Sequence, residues 1–117
     1  MIVGHEEAIQ CFDKALEIDP NNIKYMFYKS KCLILNNKIH ESTEILNKII
    51  ELDSNYGDAW FERSGCFIKN LKIEEGINDF KIAIQLNKDK YIQLAKIEKD
   101  FEYLFTNEQF RSLIINT

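Results

Sequence analysis

Apolar side chains recur along the chain at spacings of three, four and seven residues, which places them on one face of a helix. In the first such segment Ala8 is followed by Phe12, Ala15 and Leu16. The segment ends in Asp-Pro-Asn-Asn at residues 19–22. Proline cannot donate a helical hydrogen bond, and Asp or Asn can cap a following helix. The pattern therefore predicts a helix that stops abruptly, followed by a second helix that packs straight back on it.

This pattern occurs three times with a period of 34 residues. One position is always small, and the position four residues later is always large and apolar. Equivalent residues are Ala8, Ser42 and Gly76, then Phe12, Leu46 and Phe80, then Ala15, Ile49 and Ala83. The segments between these helices also align, and they place Ser30 and Ser64 at one position and Cys32 and Cys66 at another. We expect the serines to lie where two helices approach closely, because a bulky side chain would separate them.

A helix-turn-helix unit of this length, with the pattern W-x2-L-G-x2-Y followed by A-x3-F-x2-A and P, resembles the tetratricopeptide repeat. The third unit carries the pattern at Trp60, Ser64, Phe67, Gly76, Phe80 and Ala83. Departures are Lys29 and Arg63, which stand where leucine is usual, and the loss of the proline after the first unit. The resemblance implies an all-α fold, a right-handed superhelical array of helix-turn-helix hairpins (an α-solenoid) with C-terminal capping helices.

The repeat register divides the chain, as a single domain, into a half repeat, two full repeats and a cap. These segments are residues 1–22, 23–56, 57–90 and 91–117. The cap is expected to contain a helix from Tyr91 to about Lys99 and a last helix opened by a capping box of Thr106 and Gln109. The tail from Asp100 is similar to those that close bacterial and archaeal arrays of this kind.

The half repeat at the beginning of the sequence has no first helix in this register. The face that carries Ile9, Phe12 and Leu16 is therefore expected to lack part of its cover, and an exposed apolar patch favours self-association. We expect a homodimer through this edge. The other interpretation is a monomeric fragment of a longer repeat array.

Composition and charge narrow the classes of partner. The formal net charge is −4, which counts against nucleic acid and against a helical-repeat RNA reader. No apolar run approaches the length that spans a bilayer, and no signal peptide is evident, so no membrane association is expected. Three cysteines without close pairing favour reduced thiols and a cytoplasmic location.

No motif indicates catalysis. His5 and His40 fall at turns, and Glu74 with Glu75 precedes a helix, where acidic residues favour the N-terminus. A buried Cys32 and Cys66 would fill packing positions, and no glycine-rich phosphate loop occurs. We expect no enzyme activity, no cofactor and no metal.

The family resemblance implies that the first helices of the units line a concave groove. The residues expected there are Lys24, Phe27, Tyr28, Lys31 and Leu35 from one unit and Asp58, Phe61, Glu62 and Lys69 from the next. Exposed aromatic side chains beside mixed charges suit a peptide or a partner helix. The predicted function is a non-catalytic protein-interaction scaffold. The alternative is a structural or oligomerisation module of a larger repeat protein.

Some members of the family hold chaperone tails with a clamp of lysines, asparagines and an arginine. Here Tyr28 and Lys31 occupy the asparagine positions and Glu62 the arginine position, so the clamp is broken. A basic or neutral, partly apolar ligand is expected opposite Asp58 and Glu62.

Overall fold

The computed structural model describes residues 4–115, and these residues form seven α-helices and one 3₁₀ segment. The all-α prediction is confirmed, since the described residues contain no strand. The helices are α1 (His5–Ile18), α2 (Ile23–Leu35), α3 (Ile39–Leu52), α4 (Gly57–Lys69), α5 (Ile73–Leu86), α6 (Lys88–Ile97) and α7 (Glu108–Ile115), with the 3₁₀ segment (Lys99–Thr106) between α6 and α7.

Helix limits follow the period of the sequence. Helices α1, α3 and α5 begin at His5, Ile39 and Ile73 and end at Ile18, Leu52 and Leu86. Helices α2 and α4 begin at Ile23 and Gly57 and end at Leu35 and Lys69. Each of these limits recurs after 34 residues. The apolar spacing and the turn residues therefore determine the same helix-turn-helix unit each time.

The turns inside the two hairpins also repeat. Asn37 and Leu71 both have a left-handed backbone, with φ of 60° and 62°. In each turn the next amide, of Lys38 or Lys72, donates to a carbonyl five residues earlier, at 2.8 Å. This is the hydrogen bond that closes a helix through a left-handed residue. It reverses the chain within a few residues, so that the following helix packs back on the preceding one.

The chain comprises two compact units, and the boundary between them falls within α4, after Ala59. In the first unit α2 packs against both α1 and α3. Its buried apolar side chains include Ile9, Met26, Phe27, Leu33, Leu46 and Ile49. The second unit contains one continuous core from α4 to α7, whose largest buried side chains are Phe80, Phe101 and Phe110.

Within each hairpin a serine hydroxyl joins the two helices. Ser42 Oγ of α3 donates to the Ser30 carbonyl of α2 at 2.9 Å. Ser64 Oγ of α4 donates to the Gly76 carbonyl of α5 at 2.6 Å. All four residues are buried. The prediction that the small residues mark close helix contacts is confirmed.

Two glycines of the second unit should respond to alanine in opposite directions. A Cβ at Gly76 would lie 2.7 Å from Ile68 Cγ1 and 3.2 Å from the Ser64 carbonyl oxygen, so Gly76→Ala should cost about 1–3 kcal/mol. A Cβ at Gly65 would meet its nearest atom at 3.7 Å, so Gly65→Ala should stabilise by about 0.5–1 kcal/mol through helix propensity. Urea unfolding of both variants measures whether each substitution lowers or raises the free energy of unfolding. Equal effects would contradict the packing described here.

The C-terminal helices are present, but two predicted limits are wrong. Helix α6 begins at Lys88 rather than Tyr91, because Asn87 Oδ1 accepts from the Lys90 amide at 3.2 Å. The last helix is capped by Asn107, whose Oδ1 accepts from the Phe110 amide at 2.9 Å. Thr106, the predicted N-cap, lies one residue before Asn107 and ends the 3₁₀ segment.

Candidate interaction faces

One side of α2 carries four exposed residues at spacings of four, three and four. These residues, which we call the α2 face, are Lys24, Tyr28, Lys31 and Leu35. Tyr28 is 43% exposed and Leu35 is 67% exposed. The opposite side of the helix buries Met26, Ser30 and Leu33. The helical spacing thus exposes the α2 face, while the opposite side of the helix is buried in the core of the first unit.

The aromatic rings of Phe12 and Phe27 pack against the Tyr28 ring. Its ring centroid lies 6.0 Å from that of Phe12 and 6.3 Å from that of Phe27. Phe27 in turn meets the Tyr56 ring edge-on at 5.7 Å, and Lys31 Nζ lies 5.6 Å from the Phe27 centroid. The expected exposure of Phe27 is therefore wrong, because these side chains cover it. The buried Phe27 ring therefore helps to hold the Tyr28 ring in position.

Burial also affects a phenol in this cluster. Desolvation raises the pKa of Tyr56, and the nearby Asp58 carboxylate raises that pKa further. The hydroxyl therefore stays neutral at physiological pH. The Tyr56 ring contributes packing to the α2 face rather than a negative charge.

The charge of α2 is positive, because the helix contains three lysines and no acidic residue. Lys29 Nζ lies 2.5 Å from Asp13 Oδ1 of α1, so this lysine is neutralised within the first unit. Lys29 occupies the position where leucine is usual in the repeat, and there it pairs with Asp13. The α2 face carries Lys24 and Lys31 beside Tyr28, and Lys31 also takes part in a further contact. Exposed Lys24 next to the Tyr28 ring suits a partner with both an apolar and an acidic group.

In the second unit a side of α4 that includes the equivalents of Lys31 and Leu35 is covered. Phe61, Gly65 and Lys69, which we call the α4 face, follow each other at spacings of four. The Phe101 ring stacks on Phe61 at 5.0 Å and 13°, and Lys69 Nζ donates to Asp100 Oδ1 at 2.7 Å. Phe61 is only 5% exposed, so its predicted exposure on a groove is wrong. The 3₁₀ segment of the cap covers this face, together with Tyr91, which stacks on Phe61 at 5.5 Å.

The two acidic groove residues are not fully exposed. Asp58 and Glu62 are both half-buried, and each takes part in further contacts. They stand one period after Lys24 and Tyr28 in the sequence. Asp58 thus stands where α2 has a basic residue and Glu62 stands where α2 has an aromatic one, so the two helices offer different surfaces.

An ion pair in the second unit was not foreseen from the sequence. Arg63 Nε and Nη2 donate to Asp79 Oδ2 and Oδ1 at 2.7 and 2.9 Å. Asp79 is 4% exposed, and the guanidinium lies 5.0 Å from the Trp60 ring centroid and 5.5 Å from that of Phe67. Arg63 stands where leucine is usual because it neutralises a buried carboxylate. The pairing of an unusual Arg with an Asp sixteen residues later was the available signal.

The predicted self-association face is smaller than expected. Ile9 is buried, and Phe12 and Leu16 are half-buried, in part because the Tyr28 ring lies against Phe12. The expectation that all three lack cover is wrong for Ile9. Phe12 and Leu16 remain at the surface of α1.

Residues 4–115 contain neither a metal-binding cluster nor a membrane-spanning helix. No group of three or more His, Cys, Asp or Glu side chains in this part of the chain could hold a metal ion. No helix in the same range is long and apolar enough to cross a membrane. The cysteines occupy different settings, since Cys66 is buried, Cys32 is half-buried and Cys11 is exposed.

Comparison with known proteins agrees with the repeat. The sequence profile of the tetratricopeptide repeat matches residues 5–22, which are α1 and the turn that follows it. No curated protein matches the sequence. Solved structures were also compared. The first tetratricopeptide domain of Spaghetti (RPAP3), bound to the HSP90 peptide SRMEEVD, has 18% identity and a TM-score of 0.70, covering 93% of this chain and 76% of that one.

The second structure is MamA, with 14% identity and a TM-score of 0.44, covering 96% of this chain and 83% of that one. The profile match and the RPAP3 fold confirm the resemblance read from the sequence: the chain is similar to the tetratricopeptide-repeat family and has its helix-turn-helix fold.

Proposed function

We propose that this protein is a non-catalytic interaction scaffold that binds a peptide or a helix of a partner protein. The observation that carries the proposal is the α2 face, where Tyr28 and Leu35 expose apolar surface beside Lys24 and Lys31. Helical repeats of this family are generally interaction modules, and the similar RPAP3 domain is bound to a peptide. We also propose that the protein is cytoplasmic. The proposed half repeat ends at residue 22, and the two proposed full repeats end at residues 56 and 90.

The ligand on the α2 face combines apolar and acidic groups. Aromatic and aliphatic anchors provide most of the affinity in such contacts, and the lysines select charge and orientation. The RPAP3 ligand is also acidic, but the clamp pattern is broken here at Tyr28, Lys31 and Glu62. We therefore propose a partner whose apolar side chains contact Tyr28 and Leu35, rather than a chaperone tail. This proposal replaces the basic or neutral ligand expected opposite Asp58 and Glu62, because both carboxylates are half-buried and neither belongs to the α2 face.

A peptide-display selection tests this proposal. Peptides selected on the wild-type chain should lose about tenfold or more in affinity on a Lys24→Glu, Tyr28→Ala variant, since both a charge and an aromatic anchor are removed. A Lys48→Glu variant, changed at an exposed lysine of α3, is the matched control and should bind as wild type. Circular dichroism checks that all three chains are equally helical.

Two outcomes would reject the proposal. One is a selected set that binds both variants as tightly as wild type. The other is the absence of any selected peptide together with a wild-type chain that sediments as a dimer. The dimer would favour the alternative, self-association through Phe12 and Leu16, and a Phe12→Glu variant would then return the chain to a monomer.

A further inference from the structure

One side of α1 carries residues that the rest of the described chain, residues 4–115, leaves partly uncovered. These residues, which we call the α1 face, are Ala8, Cys11, Phe12, Ala15 and Ile18. Their helical spacing places them on one side of α1. Ile18 is 88% exposed, Cys11 is exposed, and the other three are half-buried. Their side chains carry no charge, so this side of α1 can exclude water from a contact with another apolar surface.

The same repeat positions are covered in the two complete hairpins. In α3 and α5 the equivalents of Ala8, Phe12 and Ala15 are all buried, and they are Ser42, Leu46, Ile49, Gly76, Phe80 and Ala83. The equivalents of Ile18 are also less exposed than Ile18 itself, at 44% for Leu52 and 39% for Leu86. The preceding helix provides this cover, α2 on α3 and α4 on α5. What lies on an α1 face within this chain is therefore a helix.

The two covering helices share one sequence pattern, a large apolar residue, a serine four residues later and a second large apolar residue three residues after the serine. In α2 and α4 these positions are Met26, Ser30, Leu33, Trp60, Ser64 and Phe67. The serine lies where the helices approach closely, and Ser64 Oγ donates to the Gly76 carbonyl at 2.6 Å. Ala8, like Gly76, has no hydroxyl, so the helix on the α1 face must supply this hydrogen bond.

Cys11 determines which charge the covering helix can carry. Its equivalent in α5 is Asp79, which accepts from Arg63 Nε at 2.7 Å, and Arg63 directly precedes the serine of α4. A helix with arginine at that position would place an unpaired cation against Cys11, which is costly in a dry contact. The α1 face therefore fits a helix with an uncharged residue before its serine.

We propose that the α1 face docks a helix of another protein, which lies on α1 as α2 lies on α3. This helix carries the pattern apolar–x3–Ser–x2–apolar with an uncharged residue before the serine. A second copy of the chain does not offer such a helix, because Met26, Ser30 and Leu33 are already buried in the first unit and Ser64 in the second. The inference goes beyond the proposed function, since it does not depend on the α2 face.

A peptide of residues 57–69 with Arg63→Leu is the probe, because it has the pattern and the uncharged residue. Amide chemical-shift titration of the full chain detects the weak binding expected of a short helix, which must order as it binds. The largest shifts should fall on residues 8–18. An Ala8→Arg variant should lose the peptide, whereas Gln10→Arg, at an exposed residue of α1 outside the face, should bind as wild type. Circular dichroism checks that the variants are equally helical.

A charge exchange tests the register of the docked helix. The peptide that retains Arg63 should bind the wild-type chain about tenfold more weakly than the Arg63→Leu peptide, because its cation has no partner. On a Cys11→Asp chain the order should reverse, since the new carboxylate stands where Asp79 pairs with Arg63. A variant that merely folds less well could weaken both peptides but could not reverse their order.

Four results would overturn the proposal. The first is no binding of the Arg63→Leu peptide, and the second is the same order of affinities on both chains. The third is a wild-type dimer that Ala8→Arg dissociates and Gln10→Arg does not, since the occupant is then a second copy. The fourth is a set of shifts centred on residues 23–35. The peptide would then lie on the α2 face, and the inference would be wrong while the proposed function stands.

Discussion

Replacing Arg63 with leucine, the residue usual at this repeat position, is expected to lower the free energy of unfolding of the second unit by about 3–5 kcal/mol. The guanidinium makes two hydrogen bonds to Asp79, which is 4% exposed. Without Arg63 the carboxylate is left buried beside apolar side chains and without its cation. Guanidinium chloride unfolding measures the loss, and the fluorescence of Trp60, the only tryptophan, reports the transition.

Two matched variants identify the cause. The double variant with Asp79→Leu should recover to within about 1 kcal/mol of wild type, because a packed apolar pair replaces a buried ion pair at little cost. Lys29→Leu changes the equivalent position of the first unit, where Asp13 is 48% exposed, and should cost no more than about 1 kcal/mol. A single Arg63→Leu chain as stable as wild type would contradict the role assigned to the pair.

Replacing Phe61 with alanine is the second change with a large expected effect, a loss of about 3–5 kcal/mol in the free energy of unfolding. Phe61 is 5% exposed and stacks with Phe101 and Tyr91. Its removal leaves a cavity among rings that cannot all move to fill it. Thermal and denaturant unfolding of the full chain measure this loss.

Leu35→Ala is the comparison for Phe61→Ala. Leu35 stands two turns further along the equivalent helix and is 67% exposed, so its truncation should change stability by about 0.5 kcal/mol or less. If the two variants had similar stability, Phe61 would be a surface residue. The original groove prediction would then be right and the covered α4 face wrong.

Most features of the fold that the sequence predicted correctly follow from the 34-residue repeat. Small residues such as Ser64 and Gly76 recur at a fixed period, and they lie where α4 and α5 touch. Local rules of helix spacing and of turn residues are enough for that result. They succeed because each hairpin is stabilised mainly by contacts between neighbouring segments of the chain.

The sites were predicted less well, because exposure depends on contacts distant in sequence. Phe61 was expected at the surface on register alone, and the segment that buries it lies forty residues later, at Phe101. No rule of periodicity predicts that the chain turns back there. The Arg63–Asp79 pair was missed because each residue alone reads as an ordinary surface charge.

In the first unit, too, helix spacing predicted the exposure of some side chains correctly and that of others wrongly. Tyr28 and Lys31 are exposed as expected, since helix spacing alone places them opposite the buried Met26 and Leu33. Phe27 is buried because Tyr56 packs against it. Tyr56 lies in the turn between α3 and α4, and helix periodicity alone does not predict that contact.

The central claim is that the α2 face binds the partner, and amide chemical-shift mapping of the full chain with a selected peptide tests it most directly. Binding at this face predicts that the largest shifts fall on residues 23–35, around Lys24, Tyr28, Lys31 and Leu35. Those shifts should disappear in the Lys24→Glu, Tyr28→Ala variant. Shifts confined to α3 or to α7, with residues 23–35 unchanged, would contradict the account.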